Sequence, residues 1–355
     1  MSLVERLDRY QRQHRWLSVP IATGYKFFED AGMHVVASMT YYAFAAGIPL
    51  LLLSGNLLSL LNHTWPGLVD LVAQTPLGEM PLIGHRLRGP GRGGLHGGPL
   101  GWLVGLLGAV YGGVGVAVAF QHGMNTVWQI PRNSRPNPLA GRLRGLVLFV
   151  ILVVSVLLST VLGWVGRTYL SRLGLVGNVL GFALSTLVNG VVFWLGMRLA
   201  VAQRRPWRWL VPGAVVAAAA WQLCQIAVMT YLSRLGGRSL DLRLVVSVVL
   251  SVLGALWATM LAVVLAAELN VVLHNRLYPR ALLTAFTDRV ELTPADISVY
   301  TAHARMQRFK GQERIEVSFA DPPPRRRRRG SALLGRLGGS QGPSAERDQG
   351  DQPGR

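Results

Sequence analysis

The sequence predicts an all-α polytopic membrane protein, with six transmembrane helices in one bundle and both termini on the cytoplasmic side. Three observations predict it. Six apolar stretches, at residues 33–61, 100–126, 145–165, 176–202, 210–232 and 244–273, are each long enough to cross a hydrocarbon core of about 30 Å at about 1.5 Å per residue. Half of the 355 residues are hydrophobic and the mean hydropathy is +0.34, which leaves no room for a second large soluble domain. The cations, finally, cluster in alternate connections.

Of the 36 Lys and Arg residues, the N-terminal segment holds five (Arg6, Arg9, Arg12, Arg15, Lys26) and the second connection four (Arg132, Arg135, Arg142, Arg144). The fourth connection holds four more (Arg198, Arg204, Arg205, Arg208) and the C-terminal segment fifteen, against three, two and three in the first, third and fifth loops. The positive-inside rule therefore puts both ends in the cytoplasm, and leaving out the long C-terminal segment still gives 13 against eight. A net charge of +19 distributed in this way fits a membrane surface better than nucleic acid. Only two of the cations are Lys, read as genome composition. The single cysteine, Cys224, falls inside the fifth span, which excludes a disulfide framework and a multi-cysteine zinc site. A cleavable signal peptide is not expected, because about thirty mixed-charge residues precede a first span too long for an h-region.

In chain order, residues 1–30 form a cytoplasmic segment that is either an interfacial helix or a solvated lead-in. The membrane domain spans 31–275. Its first helix contains Pro49, which should kink or divide it by removing a backbone donor. The loop that follows ends in the Gly- and Arg-rich run 84–98 and reads as flexible. In the second span Gly101, Gly105, Gly108, Gly112 and Gly115, continued by Ala119, recur at steps of three and four, placing them on one face where another helix can approach closely. The third span is nearly all Val, Leu, Ile and Ser. The fourth contains Asn189 and ends in Arg198; the fifth starts after Pro212-Gly213 and carries Gln222 and Gln225. Residues 276–320 form a small cytoplasmic segment. There Thr293-Pro294-Ala295-Asp296 reads as an N-cap with Pro at the first helical position, and alternating Ile315, Val317 and Phe319 predict one short strand. Residues 321–355 read as a disordered basic tail.

Polar groups inside the spans are few. Glu268 is the only acid well inside any of them, and a carboxylate in lipid needs a partner or a wet cavity. Arg198, His122 and Asn125 are at a similar depth, and Asn270 is two residues further on. Two readings stand: a clamp between helices, or a contact with an ion, proton or lipid head group. Tyr41 and Tyr42 belong either to an interfacial aromatic belt or to a polar cavity facing Gln222 and Gln225. The histidines are scattered, with no His-Glu-x-x-His or other metal-ligand spacing, so no catalytic residue, metal or cofactor is assigned and a nuclease is not expected. The run Arg325, Arg326, Arg327, Arg328 and Arg329 fits anionic lipid head groups at about 1 kcal/mol each near the surface.

Several of these segments together resemble the YihY/BrkB family of bacterial inner-membrane proteins, once labelled ribonuclease BN. The resemblance rests on Ala37-Ser38-Met39-Thr40-Tyr41-Tyr42-Ala43 followed by Pro49, on Asn125 with Arg135-Pro136, and on Arg198. It rests further on Trp207-Arg208, Pro212-Gly213-Ala214, Trp221-Gln222-Leu223 and Ala267-Glu268-Leu269-Asn270, in order across about residues 25–275. It implies a six-helix bundle in the plasma membrane with both ends inside. Two features depart from the family: the Gly-rich first loop looks like an expansion, and the fifth loop lacks a Tyr-Gly-Ser type of lead-in. The expected function is a non-enzymatic envelope protein that moves lipid or another amphiphile through a groove between helices. The alternative is a scaffold that organises other membrane proteins and has no cavity; a homo-oligomer or other membrane proteins are the expected partners.

Overall fold

The computed structural model describes residues 3–64, 98–169, 174–235, 242–282, 284 and 290–320. The Gly- and Arg-rich loop and the tail with Arg325 to Arg329 lie outside the described residues. The chain runs α1 (Leu3–Gln13), α2 (Arg15–Glu29), α3 (Gly32–Thr64), α4 (Gly98–Val127), α5 (Pro138–Tyr169), α6 (Gly174–Ala200), α7 (Val211–Leu235), α8 (Leu242–Asn275) and α9 (Pro294–Met306). Single 3-10 turns, Arg132–Ser134 and Trp207–Trp209, sit in the α4–α5 and α6–α7 connections. Among the described residues five helices, α4 to α8, carry segments long and apolar enough to cross a membrane, which is the architecture of a polytopic membrane protein.

Consecutive membrane helices are neighbours, and α8 closes the ring by packing on α3. The tightest seam joins α3 and α4, as the glycine pattern predicts. A Cβ on Gly108 would lie 2.5 Å from Pro49 Cγ, one on Gly112 2.6 Å from Ala46 Cβ, and one on Gly105 3.3 Å from the Leu53 backbone nitrogen. Gly115 lies under the Tyr42 ring, and Gly123 beyond the predicted stripe meets Val35. As the α4 partner advances, the α3 partner retreats by matching steps, the signature of antiparallel helices in close contact. Helix α3 runs through Pro49 without a break, so Pro49 does not divide it; its ring fills the space that Gly108 leaves open.

Both α4 and α8 end in a left-handed residue that is not glycine, Gln129 at φ 50° and Arg276 at φ 52°. In each the next amide turns back to the helix, Ile130 N–H to the Asn125 carbonyl at 2.8 Å and Leu277 N–H to the Val272 carbonyl at 3.0 Å. These reversals bring the following segments under the bundle. Helix α9 begins at the N-cap read from the sequence, and the structure makes it a capping box: Thr293 Oγ1 accepts from the Asp296 amide at 3.1 Å, and Asp296 accepts from the Thr293 amide at 2.9 Å. The predicted strand at Ile315, Val317 and Phe319 is corrected: residues 313–320 form neither helix nor strand, and there is no strand among the described residues. Alternation alone cannot make a strand without a neighbour to share its ladder of hydrogen bonds.

Candidate functional site

The buried charged side chains among the described residues converge at one end of the bundle, where α1, α2, α9 and the α4–α5 and α6–α7 connections gather; we call this the basic end. Helix α2 is the element that builds it. Ser18, Ala22, Thr23, Lys26 and Phe27 form its buried face at helical spacing, so Lys26 points inward rather than to water. The chain then turns at Asp30 and Ala31, the latter at φ 54°, and enters α3.

Lys26 is fully buried, and its ammonium uses all three of its hydrogens. They go to Glu268 Oε2 at 2.8 Å, to the Val127 carbonyl at 2.7 Å and to Asp30 Oδ2. The Val127 carbonyl is one of those that the last turn of α4 leaves unpaired, and a cation suits that position. One side chain from α2 thus ties α4 to α8. Burial works against the charge on Lys26, but Glu268 and Asp30 outweigh it and hold the ammonium above its ordinary pKa. Glu268 Oε1 is buried and has no hydrogen-bond partner among the described residues.

A second charged cluster adjoins the first through Glu29. The buried Arg280 guanidinium bonds Glu29 Oε1 at 2.6 Å and Asp296 Oδ1, and it lies 5.6 Å from the Tyr300 ring. Burial lowers its pKa, but the bonds to Glu29 and Asp296 dominate and raise it. Asp8 accepts from the Leu282 amide at 3.1 Å, and Gln11 donates to the Arg280 carbonyl, so α1 closes the underside.

Two asparagines brace the same end. Asn270 Oδ1 accepts from the Gly213 amide at 2.7 Å, one of the unpaired donors in the first turn of α7, and its Nδ2 donates to the Leu210 carbonyl at 3.3 Å. Any Cβ at position 213 would collide with the Ala266 carbonyl and the Asn270 amide, so the Pro-Gly-Ala and Ala-Glu-Leu-Asn segments require each other. Asn125 Oδ1 accepts from the Ala202 amide at 2.8 Å and fixes the end of α4 to the chain leaving α6. Trp209 stacks on His274 with centroids 3.1 Å apart, and Arg205 lies 5.0 Å from the Trp128 ring. Past α9, Arg308 accepts from the Asn133 amide at 3.1 Å, and Phe309 lies 4.8 Å from Arg132.

The structure brings Glu268, Asn270 and Asn125 together at this end, but with partners other than those expected for Glu268. Arg198 is exposed and lies 5.4 Å from the Trp194 ring; His122 is exposed. The cation on Glu268 is Lys26, because the buried face of α2 delivers a side chain directly to α8. Gln222 is remote from this cluster: its Nε2 donates to Ser185 Oγ at 3.1 Å and Thr186 Oγ1 at 3.2 Å on α6, and Gln225 is exposed. Tyr41 is 66 % exposed, as a belt residue would be, whereas Tyr42 packs on Gly115. Sequence reasoning missed Lys26, which it counted with the surface cations, and also Asp30, Glu29, Arg280 and Asp296. The available signal was a lysine in a chain whose cations are otherwise nearly all arginine, four residues before an acid. Among the described residues no group of three His, Cys, Asp or Glu side chains is arranged to hold a metal ion.

Residues 23–288 match the family model described as Virulence factor BrkB, a stretch that includes Lys26, Glu29, Asp30, Glu268 and Arg280 but not Asp8, Gln11, Asp296 or His303. No curated protein and no solved structure matches the chain.

Proposed function

The chain therefore belongs to the virulence factor BrkB family, and we propose that it is a six-span plasma-membrane protein that moves lipid or another amphiphile through a groove between its helices, without covalent catalysis. The sixth crossing is α3, whose 33 residues reach about 50 Å at helical rise. The basic end faces the cytoplasm by the positive-inside rule, which puts both termini there. The arginine run at 325–329 holds the tail to anionic head groups.

The observation that carries the transport reading is the uneven burial of the bundle. At the basic end α2, α4, α6, α7 and α8 are locked by Lys26, Asn125 and Asn270. Away from it, residues 149–155 of α5, 179–188 of α6, 223–228 of α7 and 246–258 of α8 are all exposed or half-buried. Among the described residues, a bundle whose charged and polar ties gather at one end, with apolar outward-facing stretches away from it, suits a protein that opens to one side at a time. The ionic contact of Lys26 with Glu268 supplies a bond that can be broken and remade. The scaffold reading draws support from the α3–α4 glycine seam and from the fully engaged Lys26, both of which fit a rigid tie between helices.

The test is translocation of fluorescently labelled phospholipid across liposomes holding the purified protein, with Glu268→Gln and empty vesicles alongside. Transport predicts translocation above empty vesicles and a change in rate for the variant. Equal rates in protein-containing and empty vesicles would overturn it and favour the scaffold.

A further inference from the structure

Asp30 connects the buried ion pair to water. Its Oδ2 accepts from Lys26, and its Oδ1 lies 3.4 Å from Nδ1 of His303 on α9. The Asp30 side chain is 1 % exposed, whereas that of His303 is 39 % exposed. A continuous line of polar atoms thus runs from Glu268 on a membrane helix through Lys26 and Asp30 to a ring in contact with solvent.

Charge decides what this line can do. Its three buried members are one ammonium and two carboxylates, so with neutral His303 they enclose one unbalanced negative charge, an unfavourable arrangement away from water. The carboxylate oxygen Glu268 Oε1, buried without a partner, marks where that charge is least compensated. The surrounding described groups do not balance it. On α2, Glu29 is engaged with Arg280, which also holds Asp296. Helix α4 presents only the Val127 carbonyl, His34 on α3 is exposed, and His274 on α8 stacks on Trp209.

We propose that Glu268, Lys26, Asp30 and His303 form one proton-binding site, filled from the water at the basic end and electrically neutral once it holds one added proton. His303 Nδ1–H donates to Asp30, and the incoming proton forms its bond at Nε2; the hydronium that delivers it leaves as water. The hydrogen bond to Asp30 raises the pKa of His303, with burial opposing it. This site stands whether or not the protein moves lipid, and in a transporter it would link opening of the basic end to proton uptake.

The experiment uses the full chain in lipid nanodiscs, with histidine NMR following the His303 ring through a pH titration and infrared spectroscopy following protonated carboxyl groups. The wild-type ring should titrate above an ordinary imidazole, with its midpoint lowered in Asp30→Asn and lowered less in Glu268→Gln, which does not touch the ring. In His303→Gln, a change at a part-exposed side chain, the proton should move to a buried carboxyl, so that a protonated-carboxyl band appears near neutral pH. A wild-type midpoint at or below that of free imidazole would overturn the proposal. So would a His303→Gln spectrum lacking that band, since the members would then not share one proton.

Discussion

Along α8, Val263, Val264, Ala266, Ala267, Val271 and Val272 are buried, while Val246, Val249, Leu250 and Leu253, a few turns away on the same helix, are exposed. Both stretches are equally apolar in character, so hydropathy does not explain the difference. Neighbours do. Near the basic end α8 packs on α7, where Gly213, Ala214, Ala217 and Ala218 are all buried small residues, and a Cβ on Gly213 would collide with Ala266 and Asn270 of α8. The same end is pinned by polar side chains to main-chain groups that helix termini leave unpaired. In the far half the described tie is Gln222 to Ser185 and Thr186, a contact between side chains. Apolar length puts a helix in the membrane, whereas small residues and satisfied polar groups decide how closely it packs there.

The comparison can be broken most forcefully at Lys26. Lys26→Met leaves Glu268 and Asp30 buried without their cation and should cost about 3–5 kcal/mol, read as a large fall in melting temperature in detergent. Gln222→Leu in the far half should cost about 0.6 kcal/mol, the usual value of an interhelical hydrogen bond in a membrane protein. Asn270→Leu strands the Gly213 amide and should cost about 1–3 kcal/mol in the same measurement.

The glycines sharpen the contrast. Gly112→Ala puts a methyl 2.6 Å from Ala46 Cβ and within 2.9 Å of its backbone nitrogen, so α3 and α4 must separate, at about 1–3 kcal/mol. Gly254→Ala meets no atom beyond its own helix within 4 Å and should stabilise α8 by about 0.5–1 kcal/mol through helix propensity. Parallel thermal melts of the two variants give opposite signs if the α3–α4 seam is tight and the face of α8 at Gly254 is open.

The smallest effect is that of pH on α9. Because Asp30 raises the folded pKa of His303, the contribution of that contact is fully present below the unfolded value of about 6.5 and is lost as pH rises through the higher folded value. Limited proteolysis near α9 should therefore speed up across that window in the wild type, and His303→Gln should lose the share of that dependence that the contact with Asp30 supplies.

Much of this was legible in the sequence. Apolar length located the five membrane-length helices α4 to α8, three-and-four spacing located the glycine seam, and the N-cap Thr293 followed by Pro294 located the start of α9. Glu268 could be recognised as needing a partner, because a buried acid is costly wherever it points. Its partner could not be identified, because that depends on which face of α2 turns inward and on the reversal at Ala31, both tertiary facts. Lys26 looked like any other juxtamembrane cation under a rule that counts charges without asking where they point. Arg280 and Asp296 were hidden for the same reason: the segment after α8 is polar in composition, and only its docking under the bundle buries them.

The most direct test of the sealed basic end is a double-mutant cycle on Lys26 and Glu268, with Lys26→Met, Glu268→Leu and the double variant unfolded thermally in nanodiscs. The account predicts that the double variant is far less destabilised than the two singles added together, with a coupling energy of about 2–3 kcal/mol. Additive single effects would contradict it and would mean that the contact between α2 and α8 does not hold that end closed.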